Sequence, residues 1–199
     1  MKNNLKNFYN DYFNNFKDII SNLEEKKIQN IIDCLFIIRK NKGRVFFIGV
    51  GGSAANCSHA VNDFRKLCLI ESYTPTDNVS ELTARINDDG WESSFTSWLK
   101  ISNFNSKDAL FVLSVGGGDI KKNISLNIVS AVKYAKKNKS KVIGIVGNNG
   151  GYTFKTGDHV LKLNIRDKKY LTPLTESMQS ILLHYLVTHP KLKMHSTKW

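Results

Sequence analysis

Four side chains in two distant segments have the types and spacing to hold a metal ion or to move protons. His59 and Asp63 are four residues apart, and Glu176 and His184 are eight apart. Each pair would therefore share one face of a helix. Either pair alone is a weak signal, because helices carry such spacings by chance. Together the pairs offer two imidazoles and two carboxylates, a set that suits zinc and that also contains a general base and a general acid.

A glycine-rich loop precedes the first of these helices. The segment Gly49-Val-Gly-Gly-Ser-Ala-Ala55 follows a predicted strand and opens a predicted helix. Glycines such as Gly51 and Gly52 let backbone N–H groups approach an anion closely, and the helix N-terminus adds a favourable dipole. Ser53 could cap the helix or donate its hydroxyl to a phosphate oxygen. The alternative is a tight strand-to-helix turn that binds nothing.

The same loop excludes one nucleotide-binding motif and satisfies another. It is not a P-loop, because the sequence contains no GxxxxGK[ST]. Gly49, Gly51 and Ala54 do satisfy the G-x-G-x-x-A dinucleotide pattern, and Glu71 is near the expected spacing. Glu71, however, precedes the short segment 72–75 instead of ending a strand, which weakens the nicotinamide interpretation.

The pattern of apolar residues places these segments in an α/β fold. Three- and four-residue spacing predicts two N-terminal helices over about 5–20 and 28–38, the second ended by a glycine cap at Gly43. Wholly apolar runs predict strands covered on both faces, at 44–50, 109–115 and 141–146, and a more alternating run at 159–164 predicts a strand nearer an edge. Helical segments are predicted at roughly 54–69, 91–102, 123–138 and 174–188. Such alternation indicates a mostly parallel sheet, in which ligands bind beyond the carboxyl ends of the strands.

Bulk composition fits one globular domain spanning 1–199. Hydrophobic residues make up 41% of the chain and charged residues 23%, and this length suits a single core. No apolar run approaches the ~20 residues of a membrane helix, and no secretory signal is visible. The three cysteines fit neither a disulfide framework nor a CxxC zinc site. We therefore expect a cytoplasmic protein with no membrane partner.

The formal net charge of +12 bears on the choice of partner. Clustered Lys and Arg would mark a nucleic-acid surface, but here they are spread along the chain, and we do not expect nucleic acid as a partner. A basic surface would also attract an anionic substrate.

The loop and helix from Gly49 to Asp63 resemble the sugar isomerase (SIS) domain family, in particular its phosphoheptose isomerase branch. The segment reads GVGGSAANCSHAVND, where that branch reads GNGGSAADAxHxxxE. The resemblance runs over nearly the whole chain. It implies a three-layer, doubly wound, flavodoxin-like fold, with an N-terminal helix pair over 1–43 that packs on the core or on a neighbouring subunit. It further implies a homotetramer that interconverts sedoheptulose 7-phosphate and D-glycero-D-manno-heptose 7-phosphate, commonly with zinc.

The resemblance also assigns roles to individual residues. Asp63 would be the base and His184 the acid of an isomerisation through an enediol(ate). The implied metal ligands are His59, Asp63, Glu176 and His184. Asp63 stands where the branch has Glu and Glu176 where it has Gln; both remain oxygen ligands, although Asp is one methylene shorter and Glu176 adds a charge. The implied substrate and phosphate contacts are Val50, Gly51, Gly52, Ser53, Asn87, Asp88, Ser114, Val115, Gly116, Asp119 and Glu176.

The departures from the family pattern fall on those substrate contacts. The loop Ser114-Val-Gly-Gly-Gly-Asp119 stands where the branch has Ser-Thr-Ser-Gly-Asn-Ser, so Asp119 places a carboxylate at the position of a phosphate-binding hydroxyl. Glycine N–H groups could still bind a phosphate there. Val50 replaces an Asn, and the pair Asn87-Asp88 matches a substrate-binding Asn-Asp, with a turn as the alternative. The substrate contacts thus differ from the family pattern, whereas the expected metal and acid–base positions stay chemically similar. This contrast suggests the same chemistry on a different substrate; the alternative is a diverged, inactive member of the family.

Two other classes of function stay open at the level of sequence. One is a non-catalytic sugar-phosphate-binding SIS module, although such modules usually carry a separate helix-turn-helix, and the residues before the first strand match the enzymes' helix pair better. The other is a nicotinamide-binding enzyme. Bound zinc and stabilisation by a heptose phosphate would favour the isomerase, whereas stabilisation by NAD without a metal would contradict it.

Overall fold

A computed structural model describes residues 2–197, with side chains from residue 7 onward. The elements in chain order are α1 (Lys2–Ser21), α2 (Glu25–Lys40), β1 (Val45–Ile48), α3 (Gly52–Cys68), β2 (Ser72–Tyr73), α4 (Val79–Asp89), α5 (Ser94–Ile101), β3 (Ala109–Ser114), α6 (Leu126–Lys137), β4 (Lys141–Val146), α7 (Gly151–Thr156), β5 (His159–Lys162) and α8 (Leu171–Thr188). Within these ranges, no helix has both the length and the apolar character needed to cross a bilayer.

The five strands form one parallel sheet in the order β2-β1-β3-β4-β5. Parallel neighbours require crossover connections, which the helices supply. The register pairs Ile48 with Val112 and Ser114 with Val146. The loops after β1, β3 and β4 therefore leave the same edge of the sheet, where parallel α/β sheets place their ligands.

Alternate residues of the central strands point into two hydrophobic cores. Val45 and Phe47 join α1, α2, α3 and α8 in the larger core. Phe46 and Ile48 join α5 and α6 in the smaller one. Every residue of β1 and β3 is buried. The prediction of a three-layer, parallel α/β sheet covered on both faces is confirmed, and so is the edge position of β5.

Three short elements differ from the sequence prediction. None of the residues of α4 is fully buried, although Leu82 packs against the smaller core. The side chain of Asn78 caps this helix by accepting the N–H of Glu81. Helix α7 has six residues and begins at Gly151, a composition typical of a turn. Strand β2 has only two residues, and its backbone pairs with β1.

The end of α2 corrects a detail of the sequence prediction. Lys42, and not Gly43, takes the left-handed conformation after the helix, with φ of 54°. Gly43 is needed for another reason: a Cβ at this position would overlap the carbonyl of Lys107. The glycine therefore allows two backbone segments to approach closely just before β1.

Candidate metal centre and the loops beside it

Helices α3 and α8 bring three of the four predicted ligands together. His59 and Asp63 lie on successive turns of α3, and His184 lies on α8. Nε2 of His59 is 2.8 Å from Nε2 of His184 and 3.3 Å from Oδ2 of Asp63. Nε2 of His184 is 3.8 Å from the same carboxylate oxygen.

These distances fit a single zinc ion. Zinc binds imidazole nitrogen and carboxylate oxygen at about 2.0–2.2 Å, so two donors of one ion lie at most about 4.4 Å apart. All three separations are shorter than that limit. The side chains of His59 and His184 are 50% and 54% exposed, whereas that of Asp63 is 16% exposed. The cluster therefore has a solvent-facing side, as a catalytic zinc site requires for its substrate or water.

Glu176, the fourth predicted ligand, lies outside this cluster. Among the described side chains, the donor atoms close enough to share one ion are those of His59, Asp63 and His184. The Glu176 carboxylate lies instead beside Gly52, so close that a Cβ on this glycine would overlap it. Gly52 is the first residue of α3, and a helix N-terminus favours a negative charge. The roles of Glu176 as ligand and as substrate contact stay predictions.

The glycine loop after β1 is exposed to solvent at its tip and buried at Ser53. Val50 is 37% exposed, and Gly51 and Gly52 are exposed as well. Gly51 has a φ of 63°, which allows the sharp turn into α3. Ser53 is 1% exposed, and its hydroxyl donates a 2.9 Å hydrogen bond to Oε1 of Gln179. A phosphate would therefore meet the backbone N–H groups of Gly51 and Gly52 more readily than the Ser53 hydroxyl.

The glycines after β3 form a packed loop. The hydroxyl of Ser114, itself 6% exposed, accepts the N–H of Gly117 at 2.9 Å. The carbonyls of Gly117 and Gly118 in turn accept the N–H groups of Thr153 and Tyr152, at 2.9 and 2.7 Å. The loop after β3 is thus tied to the first turn of α7.

Asp119 has a partner within its own turn. Its carboxylate accepts the N–H of Lys122 at 3.1 Å, and its backbone pairs with Ile124. Of the other predicted contacts here, Val115 is half-buried and Gly116 is exposed. The exposed Gly116 leaves room for a ligand at the tip of the loop.

The remaining predicted residues lie on α4 and near β2. Asn87 and Asp88 are exposed on the last turn of α4, where the Asn87 amide donates to the Asp88 carboxylate at 2.8 Å. Glu71 precedes β2, and its carboxylate accepts the Tyr73 hydroxyl at 2.8 Å. A dinucleotide site would need an acidic residue after the second strand, so this placement does not favour NAD binding.

Gln179 is a residue that the sequence patterns did not single out. It is fully buried on α8, where it accepts the Ser53 hydroxyl and lies 3.3 Å from the Asn56 amide. The only signal for it in the sequence is a polar residue within the apolar stripe that contains Met178 and Leu182.

Cys57 lies on α3 between the loop and His59 but does not join the cluster. Burial raises the pKa of its thiol well above the ordinary value. The thiol therefore stays protonated and packs as an apolar group, because metal binding needs a thiolate.

Comparison with known proteins places this geometry in a family. Residues 9–147, which contain β1, the glycine loop, α3 and β3, match the SIS domain. The chain belongs to the SIS domain family. The matched region holds His59 and Asp63, whereas His184 lies beyond it.

Similar SIS domain proteins carry the name phosphoheptose isomerase. The phosphoheptose isomerase of Buchnera aphidicola subsp. Acyrthosiphon pisum is 34% identical over 148 residues, which cover 70% of this chain and 73% of that protein. That of Syntrophotalea carbinolica is 25% identical over 181 residues, 87% of each chain. The structure of phosphoheptose isomerase GmhA from Neisseria gonorrhoeae has the same fold, with a TM-score of 0.77, 22% identity and coverage of 94% of this chain and 97% of that one. The resemblance to phosphoheptose isomerases within the SIS family is confirmed.

Proposed function

We propose that this SIS domain protein is an aldose–ketose isomerase acting on a phosphorylated sugar. The substrate pair is sedoheptulose 7-phosphate and D-glycero-D-manno-heptose 7-phosphate, or a close relative. The observation that carries the proposal is the meeting of His59, Asp63 and His184 at one point between α3 and α8. Similarity to proteins named phosphoheptose isomerase supports the class of reaction.

Two of these side chains, Asp63 and His184, can perform the proton transfers of such a reaction. The Asp63 carboxylate takes a proton from the carbon that carries a hydroxyl next to the carbonyl. The His184 side chain, as the acid, gives a proton to the carbonyl oxygen, and the product is an enediol. Return of a proton from Asp63 to the neighbouring carbon, with loss of a hydroxyl proton to His184, completes the isomerisation. Each such general acid or base typically contributes ~10²–10⁴ in rate.

Zinc is the proposed cofactor, held by His59, Asp63 and His184. When bound, it would supply Lewis-acid polarisation of the substrate carbonyl. Asp63 and His184 then each have two candidate tasks. The two carboxylate oxygens of Asp63 allow it to be both ligand and base, and the two ring nitrogens of His184 allow Nε2 to be the ligand and Nδ1–H the acid. Glu176 is the fourth predicted ligand, and its carboxylate lies beside Gly52.

The phosphate would bind backbone N–H groups at the carboxyl edge of the sheet. Val50, Gly51 and Gly52 offer an exposed loop at the start of α3, and Gly116 an exposed one after β3. Both hydroxyls expected to help are engaged within the protein: Ser53 donates to Gln179, and Ser114 accepts from Gly117. A site built from amides in place of hydroxyls is consistent with a phosphate carried by a different sugar.

The experiment is to incubate purified protein and zinc with sedoheptulose 7-phosphate and to follow formation of the aldose. We expect turnover by the wild type, and a loss of about 10²–10⁴-fold in the Asp63→Asn and His184→Ala variants. Asp89→Asn and His195→Ala change the same residue types at exposed positions and should keep wild-type rates.

Two outcomes would contradict the assignment. Full turnover in Asp63→Asn and His184→Ala would remove their roles. Binding of the sugar phosphate without any turnover by the wild type would instead favour a non-catalytic sugar-phosphate-binding module.

A further inference from the structure

The amide of Gln179 connects three elements inside the larger core. Its Oε1 accepts the Ser53 hydroxyl of α3 at 2.9 Å and is 3.3 Å from Nδ2 of Asn56. Its Nε2 donates to the carbonyl of Ile145 in β4 at 3.4 Å. Ser53 is 1% exposed and Gln179 is fully buried. A polar group in such a place is costly unless it is hydrogen-bonded, so the bonds fix where α8 lies against α3 and the sheet.

The candidate metal centre lies a short distance along the same two helices. His59 follows Ser53 by six residues, and His184 follows Gln179 by five, which is about 8–9 Å of helix in each case. The side chains of both histidines are about half exposed. Packing around the rings therefore does little to fix them, and their meeting depends on the relative position of the two helix backbones.

Two other hydrogen bonds join α3 and α8: Nδ2 of Asn56 donates to the Glu176 carbonyl at 2.9 Å, and Sγ of Cys68 to the Val187 carbonyl at 3.8 Å. The rest of the packing between the two helices lies in a hydrophobic cluster, in which attraction is non-directional and sets no register. A slide by one residue would move His184 by about 1.5 Å, whereas metal–ligand distances tolerate about 0.2 Å. The hydrogen bonds of Gln179, in the middle of α8, restrict this freedom further, because they tie α8 to both α3 and β4.

We propose that Gln179 is a positioning residue for the metal centre, which acts by fixing the register of α8 on α3 so that His184 meets His59 and Asp63. This inference rests on the proposed metal site and goes beyond it, because Gln179 itself touches neither the three donor atoms nor the exposed loops. The proposal also gives the buried Ser53 hydroxyl a role, which is to hold the Gln179 amide in place.

The test replaces Gln179 with Met, which has a similar length and no amide. Zn²⁺ and Co²⁺ are titrated into the protein, and the visible spectrum of the Co²⁺ form reports ligand geometry. We expect the metal Kd to rise about tenfold, as for other residues that orient ligands, and the Co²⁺ bands to shift. Thr175→Val is the matched control: Thr175 is fully buried on the same helix, and its hydroxyl has no hydrogen-bond partner among the described residues.

Ser53→Ala provides a milder variant that removes one bond and keeps the amide. If both changes act through the same link, Ser53→Ala should weaken metal binding less than Gln179→Met, and the double variant should bind no more weakly than Gln179→Met alone. If Gln179→Met does not fold, the metal affinity of Ser53→Ala still tests the role of this hydrogen bond.

A second readout does not depend on a metal. In the metal-free protein, NMR contacts between the His59 and His184 rings should weaken in Gln179→Met and persist in Thr175→Val. Wild-type metal affinity and unchanged ring contacts in Gln179→Met, even with lowered stability, would overturn the inference. If the wild type binds no metal, the proposed cofactor is wrong, and the ring contacts still decide the role of Gln179.

Discussion

Asp119 is a residue whose charge we predict to alter substrate preference without disturbing the fold. Its carboxylate accepts the N–H of Lys122, which holds the turn before α6. The negative charge nevertheless stays in the loop after β3, three residues after the exposed Gly116. The side chain therefore combines a structural hydrogen bond with an unfavourable field for a phosphate.

Replacing Asp119 with Asn separates these two effects. The Asn side-chain oxygen can still accept the N–H of Lys122, while the charge is lost. Repulsion between solvated charges is about 1 kcal/mol at 4 Å, so KM for the sugar phosphate should fall about fivefold. Steady-state kinetics at low ionic strength measure this change, with Asp89→Asn as the control. An unchanged or higher KM would show that Asp119 does not face the phosphate.

At the level of elements, the loop after β3 and the start of α7 depend on mutual glycine contacts. A Cβ on Gly117 would overlap the carbonyl of Gly150, and a Cβ on Gly151 would overlap those of Gly116 and Gly118. The two loops therefore approach each other as bare backbone. This close approach fixes the edge of the sheet at which the phosphate is proposed to bind.

Gly117→Ala should be strongly destabilising for this reason. Gly117 has a φ of 69°, and a left-handed L-residue costs about 1–2 kcal/mol, to which a clash with backbone adds about 1–3 kcal/mol. We expect the free energy of unfolding, from urea titrations, to fall by about 2–5 kcal/mol. Gly116→Ala is the matched control, because nothing lies within 4 Å of its added Cβ. Equal stability of the two variants would contradict the packing argument.

The elements that the sequence predicts well are those with a strong apolar signal. Runs such as 109–115 are apolar throughout, so the central strands and the parallel sheet follow from them. The spacing of His59 and Asp63 on a helix after β1 also places them near the ligand edge.

Two features of the site could not be predicted from the sequence: the hydrogen bond from the Ser53 hydroxyl to Gln179, and the position of the Glu176 carboxylate beside Gly52. Both depend on which residues of α8 face α3, and local sequence patterns do not encode how two distant helices pack. Helix α4 escaped prediction because it is short and none of its apolar residues is fully buried; of these, Leu82 packs against the smaller core.

For the molecule as a whole, buried thiols couple stability to alkaline pH. Burial raises the pKa of the Cys34 and Cys68 thiols to about 11, from an ordinary 9.0. The unfolded chain would lose these protons first. The stability that the protonated thiols contribute is therefore fully present below pH 9 and declines as the pH rises towards 11.

Urea unfolding at pH 8, 9, 10 and 11 tests this dependence. The wild type should lose stability over the upper part of that range more steeply than a Cys34→Ala/Cys68→Ala variant. Lysines and tyrosines titrate in the same pH range, but they are common to both proteins. The difference in the free energy of unfolding between the two proteins at each pH therefore reports the thiols alone. Parallel curves would contradict the coupling.

Self-association is the second whole-molecule prediction. Helix α1 exposes a row of large aromatic side chains, with Phe8 at 58%, Tyr9 at 62% and Phe13 at 45%. We expect the protein to form oligomers, as the family resemblance implies, with this face contributing. Light scattering after gel filtration should give a smaller mass for a Phe8→Ser/Tyr9→Ser/Phe13→Ser variant. A monomeric wild type, or an unchanged mass in the variant, would rule out this face as an interface.

The two histidines that meet at 2.8 Å are separated by 125 residues of chain. A growing polypeptide that has made α3 but not α8 carries only two of the three donors, so it cannot yet hold the ion tightly. A metal that binds only the complete chain stabilises it by RT ln(1 + [M]/Kd). Zinc would thus stabilise only chains whose synthesis is complete. Truncated chains would gain no such stability and would stay more open to proteolysis.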